Sequence, residues 1–178
     1  QDQTSWFPFA RFIAESGYKV FTFDFRGYGK STGTKDTRMD RDLEAAIAYM
    51  RAKGAQQVVL IGASMGGTAV IELASESQVQ GVAAVSPPAE FGRINALTAV
   101  ESMVIPLLLI VSENDYQYYS DARKIESAAA ATQFLVVEGQ QHGTNMIAEH
   151  RNEIFANLLA FLDRWTDDRL LTTVQTES

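Results

Sequence analysis

Gly62-Ala63-Ser64-Met65-Gly66 is the stretch of this chain with the clearest chemical content. It joins a short apolar run (57–62) to a segment with helical spacing (65–76). In a sharp strand-to-helix turn, side chains two residues before and two after the serine would clash. Glycine clears that space and leaves the hydroxyl exposed. Taken alone, the stretch is also compatible with a glycine-rich junction whose serine caps the helix. A serine hydroxyl is a poor nucleophile until a base takes its proton, so a nucleophilic reading requires a histidine. The chain has two. His142, in Gly139-Gln140-Gln141-His142-Gly143, follows an apolar run at 133–139. His150 falls inside a helical stretch between Glu149 and Arg151 and is expected on the surface. An imidazole base in turn needs a carboxylate to fix its tautomer and stabilise the imidazolium. Asp115 lies just past the run 105–112. Glu113 sits closer to the end of that run and Asp121 falls in the following helix, so Asp115 is preferred.

These residues need a scaffold that brings them together, and the rest of the chain supplies one. YKVFTFDF (18–25) alternates and is rich in aromatic and β-branched residues, which predicts a strand. QVVLIG (57–62), GVAAVS (81–86), IPLLLIVS (105–112) and QFLVVEG (133–139) are short apolar runs typical of buried parallel strands. Between them the spacing predicts helices. The first is capped by Thr4 or Ser5 and runs to about Ser16, with Pro8 in its first turn and Gly17 as its stop. Others cover 38–53, 65–76, 119–131 and 146–165, and 89–102 reads as a short irregular or helical link. Strands alternating with helices predict an α/β fold, a three-layer α/β/α sandwich with a mostly parallel sheet. In such sheets the chemistry gathers outside the carboxyl ends of the strands. Ser64, Asp115 and His142 each lie within three residues of the end of a predicted strand.

Composition narrows the partners. The 178 residues fit one domain, expected over 1–165, with 166–178 as a C-terminal tail. Net charge is −7 and there is no Lys/Arg-rich run, which argues against nucleic acid or an anionic membrane. No apolar run approaches the roughly 20 residues of a membrane-spanning helix. Without cysteine there are no disulfides, no thiolate metal sites and no thiol nucleophile. Two histidines leave little for a metal cage, so neither metal nor cofactor is expected. The absence of cysteine fixes no compartment, and oligomeric state is not legible.

One stretch invites a different reading. In Phe25-Arg26-Gly27-Tyr28-Gly29-Lys30-Ser31-Thr32-Gly33, the Gly-Lys-Ser end suggests a phosphate-binding loop. Such a loop needs a further glycine five positions before its Gly-Lys pair, where backbone N–H groups wrap the phosphates. That position is Asp24, a carboxylate where an anion would sit. The dinucleotide fingerprint also fails, because Thr32 stands where its third glycine belongs. The stretch reads as a turn after a strand, with glycines supplying positive φ.

On these residues the chain resembles the α/β-hydrolase superfamily, and in particular compact serine hydrolases of the esterase, dienelactone-hydrolase and acyl-peptidase type. The resemblance runs from Thr4 to about Trp165. It rests on the order Ser64, Asp115, His142, on the nucleophile elbow around Ser64, and on a second motif. Members often carry D-x-R-G-x-G-x-S at the end of an early strand, and this chain reads Asp24-Phe25-Arg26-Gly27-Tyr28-Gly29-Lys30-Ser31. The resemblance implies a metal-free serine hydrolase acting on small-molecule esters or related acyl compounds through an acyl-enzyme. Ser64 would be the nucleophile, His142 the base and then the acid, Asp115 the orienting carboxylate, and the Met65 N–H an oxyanion donor.

Two departures from the family shape the expectations. The strand and loop that supply a second oxyanion donor would lie upstream of Gln1, and that strand normally sits between those at 18–25 and 57–62. The expectation is therefore a fragment of a longer hydrolase, or a reading frame truncated at its start. The link between 86 and 105 leaves no room for a substantial lid. That implies a wide, shallow acyl pocket, with Phe91, Tyr116, Met65 and Tyr118 as candidate lining. A peptidase or an acyltransferase would use the same residues with a different leaving group or acceptor. A non-catalytic binding module on a truncated hydrolase fold is the remaining alternative.

Overall fold

The structure, a computed structural model, describes residues 2–35 and 38–166. A 3₁₀ turn, Gln3–Trp6, leads into α1 (Phe7–Glu15), then α2 (Met39–Ala52), β1 (Val59–Ala63), α3 (Met65–Ala74) and β2 (Gly81–Val85). A hairpin of two-residue strands, β3 (Glu90–Phe91) and β4 (Ile94–Asn95), precedes α4 (Ala96–Ser102). β5 (Leu107–Ser112), α5 (Tyr116–Ala128), β6 (Thr132–Val137), α6 (Thr144–Glu149) and α7 (Arg151–Trp165) complete the order. Apart from Thr166, the tail expected at 166–178 lies outside the described residues.

The main sheet is parallel throughout, in the order β1-β2-β5-β6. Every residue of β2 and β5 is buried, which is why these two strands are continuous apolar runs. Their side chains alternate between two cores. Val82, Ala84, Leu107 and Leu109 meet α2, α3 and α4 on one face. Ala83, Val85, Leu108 and Ile110 meet α1, α6 and α7 on the other. The layers are thus helix, sheet, helix. Phe161, 2 % exposed, closes the second core, and truncating it to alanine would cost about 3–5 kcal/mol.

The segment 18–25 differs from its expectation. It belongs to no sheet. Strand pairing requires a neighbour about 4.8 Å away. Instead, a cavity of about 730 Å³ is walled on one side by Tyr18–Phe25 and on the other by Val58–Ala63. The segment is held by side chains that reach other elements, Phe21 against Tyr49 of α2 (ring centroids 4.9 Å apart) and the Tyr18 hydroxyl, which donates to Asp163 of α7 at 2.6 Å.

Other boundaries move for local reasons. Asp2, rather than Thr4 or Ser5, caps the first turn by accepting the Thr4 N–H at 2.9 Å. The helix expected over 119–131 begins three residues earlier, so that Asp115 becomes its cap position. The single helix expected over 146–165 breaks at His150, where φ −103° and ψ 37° leave the helical region. The bend lets Met146 and Ile147 of α6 and Ile154 to Leu162 of α7 enter one core.

The Asp24–Ser31 stretch is a structural turn. The Asp24 carboxylate accepts the N–H groups of Gln3 (2.6 Å) and Lys30 (3.0 Å) and the Gln3 side-chain amide (3.1 Å). Ser31 Oγ donates to the Asp24 carbonyl at 2.6 Å. Arg26 ties the turn to α2 through its N–H and guanidinium on Asp42, at 2.6–2.9 Å. Gly29 has φ +51°, and a Cβ there would land on the Asp24 carboxylate. Burial of Asp24 opposes its charge, but these hydrogen bonds outweigh it and hold the carboxyl below the ordinary aspartate range.

Candidate active site

Ser64 occupies the corner between β1 and α3 with φ 52° and ψ −128°, a conformation side chains seldom adopt. Three contacts enforce it. Its N–H donates to the Val85 carbonyl at 2.8 Å, and its carbonyl accepts the N–H groups of Gly67 (2.7 Å) and Thr68 (3.2 Å). A Cβ at Gly62 would collide with the Gly66 carbonyl, so only glycine lets β1 and α3 meet at this angle. Met65 is the first residue of α3, and its N–H has no acceptor within the helix.

β5 and β6 deliver the other two groups. Asp115 follows β5 by three residues, and His142 sits on the loop from β6 to α6. His142 Nε2 is 2.8 Å from Ser64 Oγ, and Nδ1 is 2.8 Å from Asp115 Oδ2. The Asp115 side chain is 12 % exposed and that of His142 33 %, so the carboxylate is covered and the imidazole edge reaches solvent. Tyr118, in the first turn of α5, leans its ring on the imidazole with centroids 4.0 Å apart. Such an array can deprotonate the serine hydroxyl while the carboxylate holds the imidazole tautomer.

The rival groups are elsewhere. Glu113 is exposed and accepts from the Asn114 side chain at 3.1 Å. Asp121 is buried and accepts the Ala89 N–H at 3.2 Å and Lys124 Nζ at 2.9 Å. His150 is not the surface residue expected. It is half-buried at the α6–α7 joint, with a buried Nε2 that meets no partner among the described residues.

The pocket also differs from its expectation. Ser64, Met65 and His142 border the 730 Å³ cavity, which runs back beneath the site between segment 18–25 and β1. Phe91, on the β3–β4 hairpin, and Tyr116, 80 % exposed, do not line it. The wall carries instead Trp6, Phe9, Phe23, Phe25 and Tyr28. Sequence reasoning missed these because they come from segments remote from the elbow. Among the described residues no group of three or more His, Asp or Glu could hold a metal, and no helix is long and apolar enough to cross a membrane.

A family model described as the alpha/beta hydrolase fold matches residues 3–124, and the chain belongs to that family. It is 31% identical over 88 residues to uncharacterized protein YfhR of Escherichia coli (strain K12), which is 47% of this chain and 31% of YfhR. YfhR of Salmonella typhi is 31% identical over 74 residues, 39% of this chain and 25% of that protein. The match thus spans less than a third of these relatives. Among solved structures, a monoacylglycerol lipase of Paleococcus ferrophilus superposes with TM-score 0.78 at 16% identity, over 93% of this chain and 91% of that one. An esterase of Pyrococcus furiosus gives 0.76 at 23% identity, over 89% and 75%. An alpha-beta serine hydrolase homologue from Coxiella burnetii gives 0.75 at 22% identity, over 88% and 76%. At these identities the likeness is one of fold.

Proposed function

We propose that the protein is a serine hydrolase that cleaves carboxylic esters or related acyl compounds through an acyl-enzyme on Ser64. The observation that carries this reading is the unbroken hydrogen-bonded line Ser64–His142–Asp115, with both links at 2.8 Å. Ser64 Oγ attacks the acyl carbonyl as His142 Nε2 takes its proton. The new C–O bond pushes the carbonyl electrons onto oxygen, where the Met65 N–H donates to the oxyanion. His142 then returns the proton to the leaving alcohol as the C–O bond to it breaks. Water repeats the sequence and frees the acid. Asp115 stays ionised and stabilises the imidazolium throughout. Gln3 supplies no second oxyanion donor through its N–H, which is committed to Asp24. The aromatic cavity bordering Ser64 suits an acyl or alcohol group of modest size. Esterase and lipase structures among the fold's neighbours are consistent with that substrate class.

The test is labelling with a fluorophosphonate probe followed by peptide mapping, together with turnover of p-nitrophenyl acetate. Adduct on Ser64, and loss of both signals in Ser64→Ala, is the expected result. Intact, folded protein that neither labels nor turns over ester would overturn the reading.

A further inference from the structure

The loop that carries His142 is irregular, so its backbone groups have no ladder to join and must find other partners. Two serines provide them. Ser86 directly follows β2 and Ser112 ends β5; both are fully buried at the carboxyl ends of the two central strands. The Gly143 N–H donates to Ser86 Oγ at 3.1 Å. Ser112 Oγ donates to the Gln141 carbonyl at 2.7 Å. The residues immediately before and after His142 are therefore each held by one buried hydroxyl, the first through an acceptor and the second through a donor.

A hydroxyl fits either task, because it can take a hydrogen bond, as Ser86 does, or give one, as Ser112 does. An apolar residue at 86 or 112 would leave the Gly143 N–H or the Gln141 carbonyl without its hydroxyl partner. Ser86 also adopts φ +47°, a backbone conformation that side chains seldom take. A residue in that conformation is retained against its own preference when the surroundings demand it.

We propose that Ser86 and Ser112 are positioning residues: they grip the backbone on either side of His142 and hold its imidazole between Ser64 and Asp115. This rests on the reading of His142 as the base in the proposed hydrolase. A displacement of about 1 Å at a reacting group can cost about a hundredfold in rate. Ser86→Ala and Ser112→Ala should therefore each lower kcat by about ten- to a hundredfold with KM little changed. The two act through His142, so neither should reduce further the residual turnover of His142→Ala.

The experiment compares full-chain wild type, Ser86→Ala, Ser112→Ala and Ser86→Gly. The last removes the hydroxyl while suiting the positive φ, which keeps a folded variant in the series. Two readouts are taken on each: the rate of fluorophosphonate labelling at Ser64, and the proton NMR signal of His142 Nδ1–H, which reports the bond to Asp115 whether or not Ser64 reacts. Slower labelling, with the Nδ1–H signal broadened or lost, is expected in all three variants. A sharp, unshifted Nδ1–H signal and wild-type labelling in folded variants would overturn the proposal. Wild type that fails to label, while the variants still lose the Nδ1–H signal, would remove the hydrolase reading and leave the positioning role standing.

Discussion

Ser64 and His142 are 78 residues apart in sequence, yet Ser64 Oγ and His142 Nε2 lie 2.8 Å from each other. Because the two act as one unit, their removal should not be additive. Ser64→Ala, His142→Ala and the double variant are expected to fall to the same floor of ester turnover, with circular dichroism unchanged. A double variant slower than either single by a further factor of about ten would mean that the two residues act independently.

Asp115→Asn should retain the fold and lose about 10⁴ in kcat. An amide that donates to Nδ1 drives the ring proton to Nε2, and Nε2 can then no longer accept from Ser64. Steady-state kinetics check this. A loss of less than about tenfold would show that another group orients the imidazole.

Tyr118 offers a milder test. An aromatic contact of this kind contributes about 0.5–1.5 kcal/mol beyond simple burial. Tyr118→Ala should therefore slow kcat by roughly two- to tenfold, and Tyr118→Phe should leave it near wild type. Equal losses in the two variants would point to the hydroxyl rather than the ring.

Much of this arrangement is legible in the sequence. β2 and β5 are apolar runs because helices cover both faces of the sheet there, and apolar runs are easily read. The serine, acid and histidine could be picked because each follows such a run. Segment 18–25 shows the limit: it has the composition of a strand, but composition cannot supply a paired neighbour. The break at His150 carries no glycine or proline to announce it. The β3–β4 hairpin is too short to show a period. Ser86 and Ser112 look like incidental polar residues in apolar strands until the His142 loop is seen resting on them.

Asp24 makes stability depend on acid. Its folded carboxyl titrates below the ordinary value of 3.8, so its contribution is fully present above that pH. It is lost as pH falls through the lower folded value. Asp24→Asn should cost about 2 kcal/mol at neutral pH, which lowers the melting temperature by about 4–8 °C. Melting curves of wild type and variant from pH 7 down to pH 2 should converge at the acid end. A gap that stays constant across that range would show that the charge is irrelevant to the turn.

The backbone at Ser64 sets durability against chemistry. With φ 52° and ψ −128°, the residue sits where glycine alone is comfortable, at a cost of about 1–3 kcal/mol. Ser64→Gly relaxes that corner and deletes the hydroxyl in one step. A library of this protein selected only for survival of heat would accordingly be drawn toward glycine at position 64. The winners would be robust and inert, and only a selection that also counts product would keep the serine in its place.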